Sequence, residues 1–203
     1  KFLNTNIKIA KESAISFSGM GMGQVFRYIF TTLLARWVGV ELLGMYSIAN
    51  AVTRIFEVIG KLGLDQGALR AVSREEQHLG KQSVILSALK MGAISGLLCM
   101  LVQISLAGWL AENVFHQSTL LTKVITIHAL SLPFYIIIHI SANSTQAYKL
   151  LKYKIFVTEF QNPLILLLAM VVCYFFYSVE SAIIIPVVFA AVLGCLTISI
   201  FLK

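Results

Sequence analysis

GVELLGMYSIANAVTRIFEVIGKLGLDQGALRAVSR, residues Gly39–Arg74, runs from an apolar helix through a charge stripe into a basic loop. Its centre holds Arg54, Glu57 and Lys61 inside a segment otherwise long enough to cross a bilayer. Charges at that depth are expensive and need a reason. Ser47, Asn50, Arg54, Glu57 and Lys61 follow one another at steps of three and four, which lines them along one helical face. That face must avoid lipid. It either neutralises itself through Arg54–Glu57 and Glu57–Lys61 pairs or lines a hydrated cavity, and even the paired triad keeps one net positive charge.

The rest of the chain has the composition of a membrane protein. Of its 203 residues 58% are hydrophobic and only 12% charged, and the mean hydropathy is +0.85, all far from soluble averages. A net charge of +7 would suggest a nucleic-acid partner in a soluble domain; in a polytopic membrane protein it reflects Lys and Arg held in cytoplasmic loops, so no nucleic-acid partner is expected. Cys99, Cys173 and Cys195 sit in apolar runs without metal-ligand spacing and read as small buried hydrophobes. The chain begins without Met, and a piece of a longer protein is expected.

Hydropathy divides the chain into a polar, cytoplasmic N-terminus at 1–12 and six transmembrane helices at about 13–38, 42–64, 83–111, 119–147, 155–177 and 182–202. The fold class expected is an all-α polytopic bundle, with Pro133, Pro163 and Pro186 as kinks and an interfacial helical turn in the loop Asp65–Gln82. Ten of the 16 basic residues fall on alternate, same-side segments: Lys1, Lys8 and Lys11; Arg70, Arg74 and Lys81; Lys149, Lys152 and Lys154; and Lys203. The three opposite loops, Gly39–Glu41, Glu112–Ser118 and Ser178–Ser181, have none. Both ends are therefore expected in the cytoplasm.

Six basic residues remain within the spans. Arg36, Lys61 and Lys123 lie near span ends and can snorkel to the interface, whereas Arg27 and Arg54 lie near mid-span. Gln24, Arg27 or Tyr28, and Thr31 form a polar edge after the glycines of GMGMG, Gly19–Gly23, which suit close helix packing or a hinge rather than a nucleotide loop. Arg27 can pair with Glu57, and Glu159 with Lys90, which lies at similar depth. The fourth span places His128, Tyr135, His139 and Asn143 at helical spacing. Its two histidines are three turns apart and cannot share a metal, which leaves a proton relay, cavity lining or hydrogen-bonded packing. No nucleophile elbow, phosphate loop or metal-ligand cluster is present, so neither enzymatic activity nor a cofactor is expected.

LLARWVGVELLGMYSIANAVTRIFEVIGKLGLDQGALRAVSR, Leu33–Arg74, resembles the polysaccharide-biosynthesis flippases, including O-antigen exporters. The family pattern is LLAR-x-x-G closing the first helix, E-x-x-G-x-Y opening the second and G-L-D-x-x-x-x-R beyond it. Leu33, Leu34, Ala35, Arg36, Gly39, Glu41, Gly44, Tyr46, Gly63, Leu64, Asp65 and Arg70 match it. The resemblance implies the multidrug/oligosaccharidyl-lipid/polysaccharide exporter superfamily, with two six-helix bundles around a central cavity. This chain would be the N-terminal bundle, and the C-terminal half is missing.

What the resemblance implies about function is an inner-membrane flippase for an undecaprenyl-pyrophosphate-linked oligosaccharide, working by alternating access, with membrane lipid and the polysaccharide polymerase machinery as further partners. Arg27, Arg54, Lys61 and Lys90 are the candidates for engaging the anionic head, since Arg offers a forked donor to phosphate oxygens. Gln24, Asn50, Glu57, His128, His139 and Glu159 are candidates for cavity lining or relay. A multidrug and toxin extrusion antiporter would favour acidic cavity residues, a glycosyl-lipid enzyme would show a large periplasmic loop, and a non-transporting scaffold would use the stripe for structure alone.

Overall fold

Two tight reversals isolate the helix that carries the charge stripe. Gly39 precedes it at φ +98°, and Leu62 and Gly63 follow at φ 48° and 73°. Such backbone costs a residue with a side chain roughly 1–2 kcal/mol, so glycine at 39 and 63 eases both turns. In the computed structural model, which describes residues 2–74, 78–116, 119–147, 154–176 and 181–201, this helix is α2, Val40–Lys61.

Around it the chain forms α1 (Phe2–Trp37), α3 (Leu64–Arg74), α4 (His78–Trp109, closed by a π-helical turn Leu110–Val114), α5 (Thr119–Ala129), α6 (Leu132–Ala147), a second π-helical turn Phe156–Gln161 leading into α7 (Asn162–Phe176), and α8 (Ser181–Phe201). Among the described residues every regular element is helical. Val40–Lys61, Gly80–Val114, Thr119–Gln146, Phe156–Phe176 and Ala182–Ile200 are long and apolar enough to cross a membrane. Their outward faces present Ile55, Ile59, Leu97, Leu101, Phe176 and Leu196, an apolar surface that lipid covers and water would not tolerate. α1, where the first of six spans is expected, is not among these five. Its glycine run, Gln24, Arg27, Thr31 and Thr32 dilute its apolar character.

Several boundaries differ from the sequence expectation. The described part of the polar N-terminal segment, residues 2–12, is continuous with the first helix, which runs unbroken from Phe2. The second helix ends at Lys61, and the expected interfacial turn is a full helix, α3, with Ala68 and Val72 buried against α4 and α6. The fourth span is two helices. Pro133 lacks an N–H, and just before it the backbone tightens, with Leu130 and Ser131 donating to the carbonyls three residues back, Ile127 and His128. The loop residues 148–153 and 177–180, with Lys149 and Lys152, lie outside the described residues, as do Lys1 and Lys203.

α6 is the axis of the bundle, flanked by α2, α3, α4, α8 and the second π-helical turn. Small residues let the neighbours approach: a Cβ at Gly96 of α4 would stand 2.9 Å from Pro133 Cα, and one at Gly60 of α2 would stand 2.6 Å from Ile136 Cδ1. At one end Phe30, Leu34, Met45, Val124, Ile125 and Met170 form the largest apolar cluster. Ile138, Ala142, Val157 and Ile198 form another on the α8 side of α6. Between these clusters the helices do not close.

Candidate functional site

The gap is a cavity of about 490 Å³ bordered by α1, α2, α6, the second π-helical turn, α7 and α8. That volume falls within the range of ligand-binding pockets, about 300–1,000 Å³. Its charged lining comes from three elements: Arg27 from α1; Arg54, Glu57 and Lys61 from α2; Glu159 from the π-helical turn. Three cations thus face two carboxylates, with His139 of α6 beside them.

The α2 wall follows from helical periodicity. Tyr46, Asn50, Arg54, Glu57 and Lys61 all face the cavity, while Met45, Ala49 and Val52 on the adjoining face are buried in the bundle. Glu57 is held twice. Its Oε1 lies 3.0 Å from Lys61 Nζ and 3.2 Å from His139 Nε2. Lys61 is therefore tied into the wall rather than snorkelling to the interface. Ser47, expected on the same stripe, donates instead to the carbonyl of Leu43 on its own helix and lies outside the lining.

The opposite wall depends on a close approach between distant segments. Pro163 has no N–H for the carbonyl of Glu159 four residues earlier, and the helix widens into a π turn there. Gly23 of α1 lies so close to that carbonyl that a Cβ would overlap it. One helical turn beyond Gly23, Arg27 Nη2 donates to Glu159 Oε2 at 2.8 Å. Neither Arg27–Glu57 nor Lys90–Glu159, the pairings open to sequence reasoning, is formed: the glycine contact sets α1 against the π turn and brings Arg27 to Glu159 first.

Arg54 belongs to the α2 wall. It is exposed and makes no ion pair with a described residue. The Arg54–Glu57 pair, one alternative open to sequence reasoning, is not formed, because Glu57 turns to Lys61 and His139. The cavity therefore keeps an uncompensated guanidinium.

Of the ten candidate residues, Arg27, Asn50, Arg54, Glu57, Lys61, His139 and Glu159 line the cavity. Lys90, Gln24 and His128 do not. Lys90 is exposed, about 200° around α4 from Ala88 and Gly92, which pack inward, so it faces away from the bundle. Gln24 is exposed on α1 outside the lining. His128 is buried behind the wall, its Nδ1 donating to Val124 O at 2.9 Å and its ring edge-on to Tyr46.

Some wall residues escaped the sequence reading. Tyr46 extends the α2 stripe by one step and was visible in that periodicity. Thr158, Val187 and Gly194 also line the cavity and carry no sequence signal of it. Gln103, a lone amide midway along an apolar span, braces the wall from behind, donating to Thr53 Oγ1 at 2.9 Å and to the carbonyl of Ile125. A buried amide in a membrane helix signals an interhelical hydrogen bond.

Outside the lining, Asn143 donates to Asp65 Oδ2 at 3.2 Å and Lys154 donates to Gln146 Oε1 at 2.8 Å. Burial pulls the Lys154 ammonium below the usual lysine range, with Asp65 and Glu159 opposing that pull.

A family model described as "Polysaccharide biosynthesis protein" matches residues 9–203, nearly the whole chain. No curated protein and no solved structure matches.

Proposed function

The chain belongs to the polysaccharide biosynthesis protein family, and on that premise we propose that it carries a lipid-linked oligosaccharide across the bacterial inner membrane as part of a flippase. The substrate class is a polyprenyl pyrophosphate glycan of the O-antigen type, whose anionic head crosses within the protein while its tail remains in lipid. The observation that carries this reading is Arg54: a guanidinium that no described residue pairs, in a cavity where three cations face two carboxylates. Such a site favours a phosphate-bearing head, because Arg presents two parallel donors to phosphate oxygens.

In this reading α1 is the sixth crossing and turns Arg27 and Thr31 to the cavity. A second six-helix half, absent from this chain, supplies the facing wall, and one bundle rocks against the other. The protein acts as a transporter rather than an enzyme, with both ends of this segment in the cytoplasm, and hands its cargo to polymerase machinery. The antiporter alternative draws less support, since both cavity carboxylates are already engaged by cations.

The test is to replace Arg27 and Arg54 together with Ala in the complete protein and to measure export of the lipid-linked glycan. Loss of export is the expected result, with partial recovery when Arg54 is Lys. Export at the normal rate in the double variant rejects the cavity reading.

A further inference from the structure

The two ion pairs in the cavity are built differently. Glu57 is clasped by two partners and only 13% of its side chain is exposed. Glu159 meets Arg27 through one oxygen and one nitrogen, and the two side chains are 30% and 40% exposed. A guanidinium can grip a carboxylate or phosphate with two parallel bonds, so the Arg27 fork is only half used. The pair also joins segments 132 residues apart, and no helical periodicity holds it in register.

We infer that Glu159 is a built-in occupant of the anion site on Arg27, a carboxylate that a more highly charged ligand displaces. The inference rests on the reading of the cavity as an anion site. A pyrophosphate brings more charge and more acceptor oxygens than one carboxylate, and it can take both arms of the guanidinium while Arg54 holds its other end. A singly charged ligand gains little by the exchange. Glu159 is thereby a specificity-determining residue: it sets a threshold of ligand charge below which Arg27 stays occupied. Between turnovers it also keeps the Arg27 charge compensated, so the empty cavity retains only one net positive charge, at Arg54.

The experiment is a double-mutant cycle on the full-length protein in detergent, with inorganic pyrophosphate as probe and calorimetry as readout, titrated into the millimolar range. Glu159→Gln keeps the shape and a hydrogen-bond acceptor, and it is expected to bind pyrophosphate about fivefold more tightly than wild type, the equivalent of one exposed ion pair. In an Arg27→Ala background the same substitution is expected to change affinity by less than about twofold, because the site Glu159 occupied is gone. Acetate, tested alongside, should gain measurable binding in Glu159→Gln alone. An equal gain in both backgrounds would mean that removing any cavity carboxylate helps any anion, and it overturns the displacement idea. No gain from Glu159→Gln overturns it as well. If neither wild type nor Glu159→Gln binds pyrophosphate at all, the anion-site reading itself fails, a result separate from these.

Discussion

The two walls of the cavity carry similar charges and differ in what holds them. On the α2 side, Glu57 and Lys61 are four residues apart on one helix, and His139 only has to arrive beside them. On the α1 side, Arg27 and Glu159 meet because Gly23 lets one helix lie against a π turn. The first wall is local chemistry completed by packing; the second is packing that creates the chemistry. A locked pair serves as structure, while a half-used, part-exposed pair can be exchanged for a ligand.

Breaking the locked wall should give the largest effect on stability. Glu57→Ala strips Lys61 and His139 of their shared acceptor in a mostly buried position, and the expected loss is about 3 kcal/mol, at the low end for removing one partner of a buried pair. Thermal unfolding in detergent measures it, and a loss no greater than that of Glu159→Ala would erase the contrast between the walls. Next comes the contact behind the exchangeable wall. Gly23→Leu drives a side chain into the Glu159 carbonyl and should cost about 2 kcal/mol by overpacking, partly offset by better helix propensity. The same variant should separate Arg27 from Glu159 and raise pyrophosphate affinity as Glu159→Gln does, which calorimetry checks.

Smaller effects sharpen the comparison further. Glu159→Ala breaks an ion pair that is part exposed, and it should cost under about 1 kcal/mol in the same unfolding assay. Lys90→Ala should change stability by less than about 0.5 kcal/mol and leave glycan export at the wild-type rate, because that ammonium faces away from the bundle. A marked export defect in Lys90→Ala would return Lys90 to the list of substrate contacts.

Much of the α2 wall was legible before any coordinates. Steps of three and four placed Asn50, Arg54, Glu57 and Lys61 on one face, and all four line the cavity. The Glu57–Lys61 pair was likewise visible, since residues four apart on a helix meet whatever the helix packs against. The partners of Arg27 and Glu159 were not. Sequence offered Glu57 for the one and Lys90 for the other, choices that depend on which helices touch and at what rotation. Lys90 shows the same gap: its depth along α4 could be estimated, but its direction around α4 could not, because the few polar residues of that helix mark no single face to orient it.

The chain's own order of residues determined an all-helical, membrane-spanning protein, the polar face of α2, an irregularity at Pro133 and, through Leu33–Arg74, the family. Each is a short-range property: hydropathy summed along a span, the 3.6-residue period, a ring without an N–H. Tertiary structure alone decided that Arg27 answers Glu159, that Glu57 belongs to Lys61 and His139, and that Arg54 pairs with no described residue. Those outcomes turn on helix rotations and on a single missing Cβ at Gly23, where a close approach between distant segments selects one carboxylate over another.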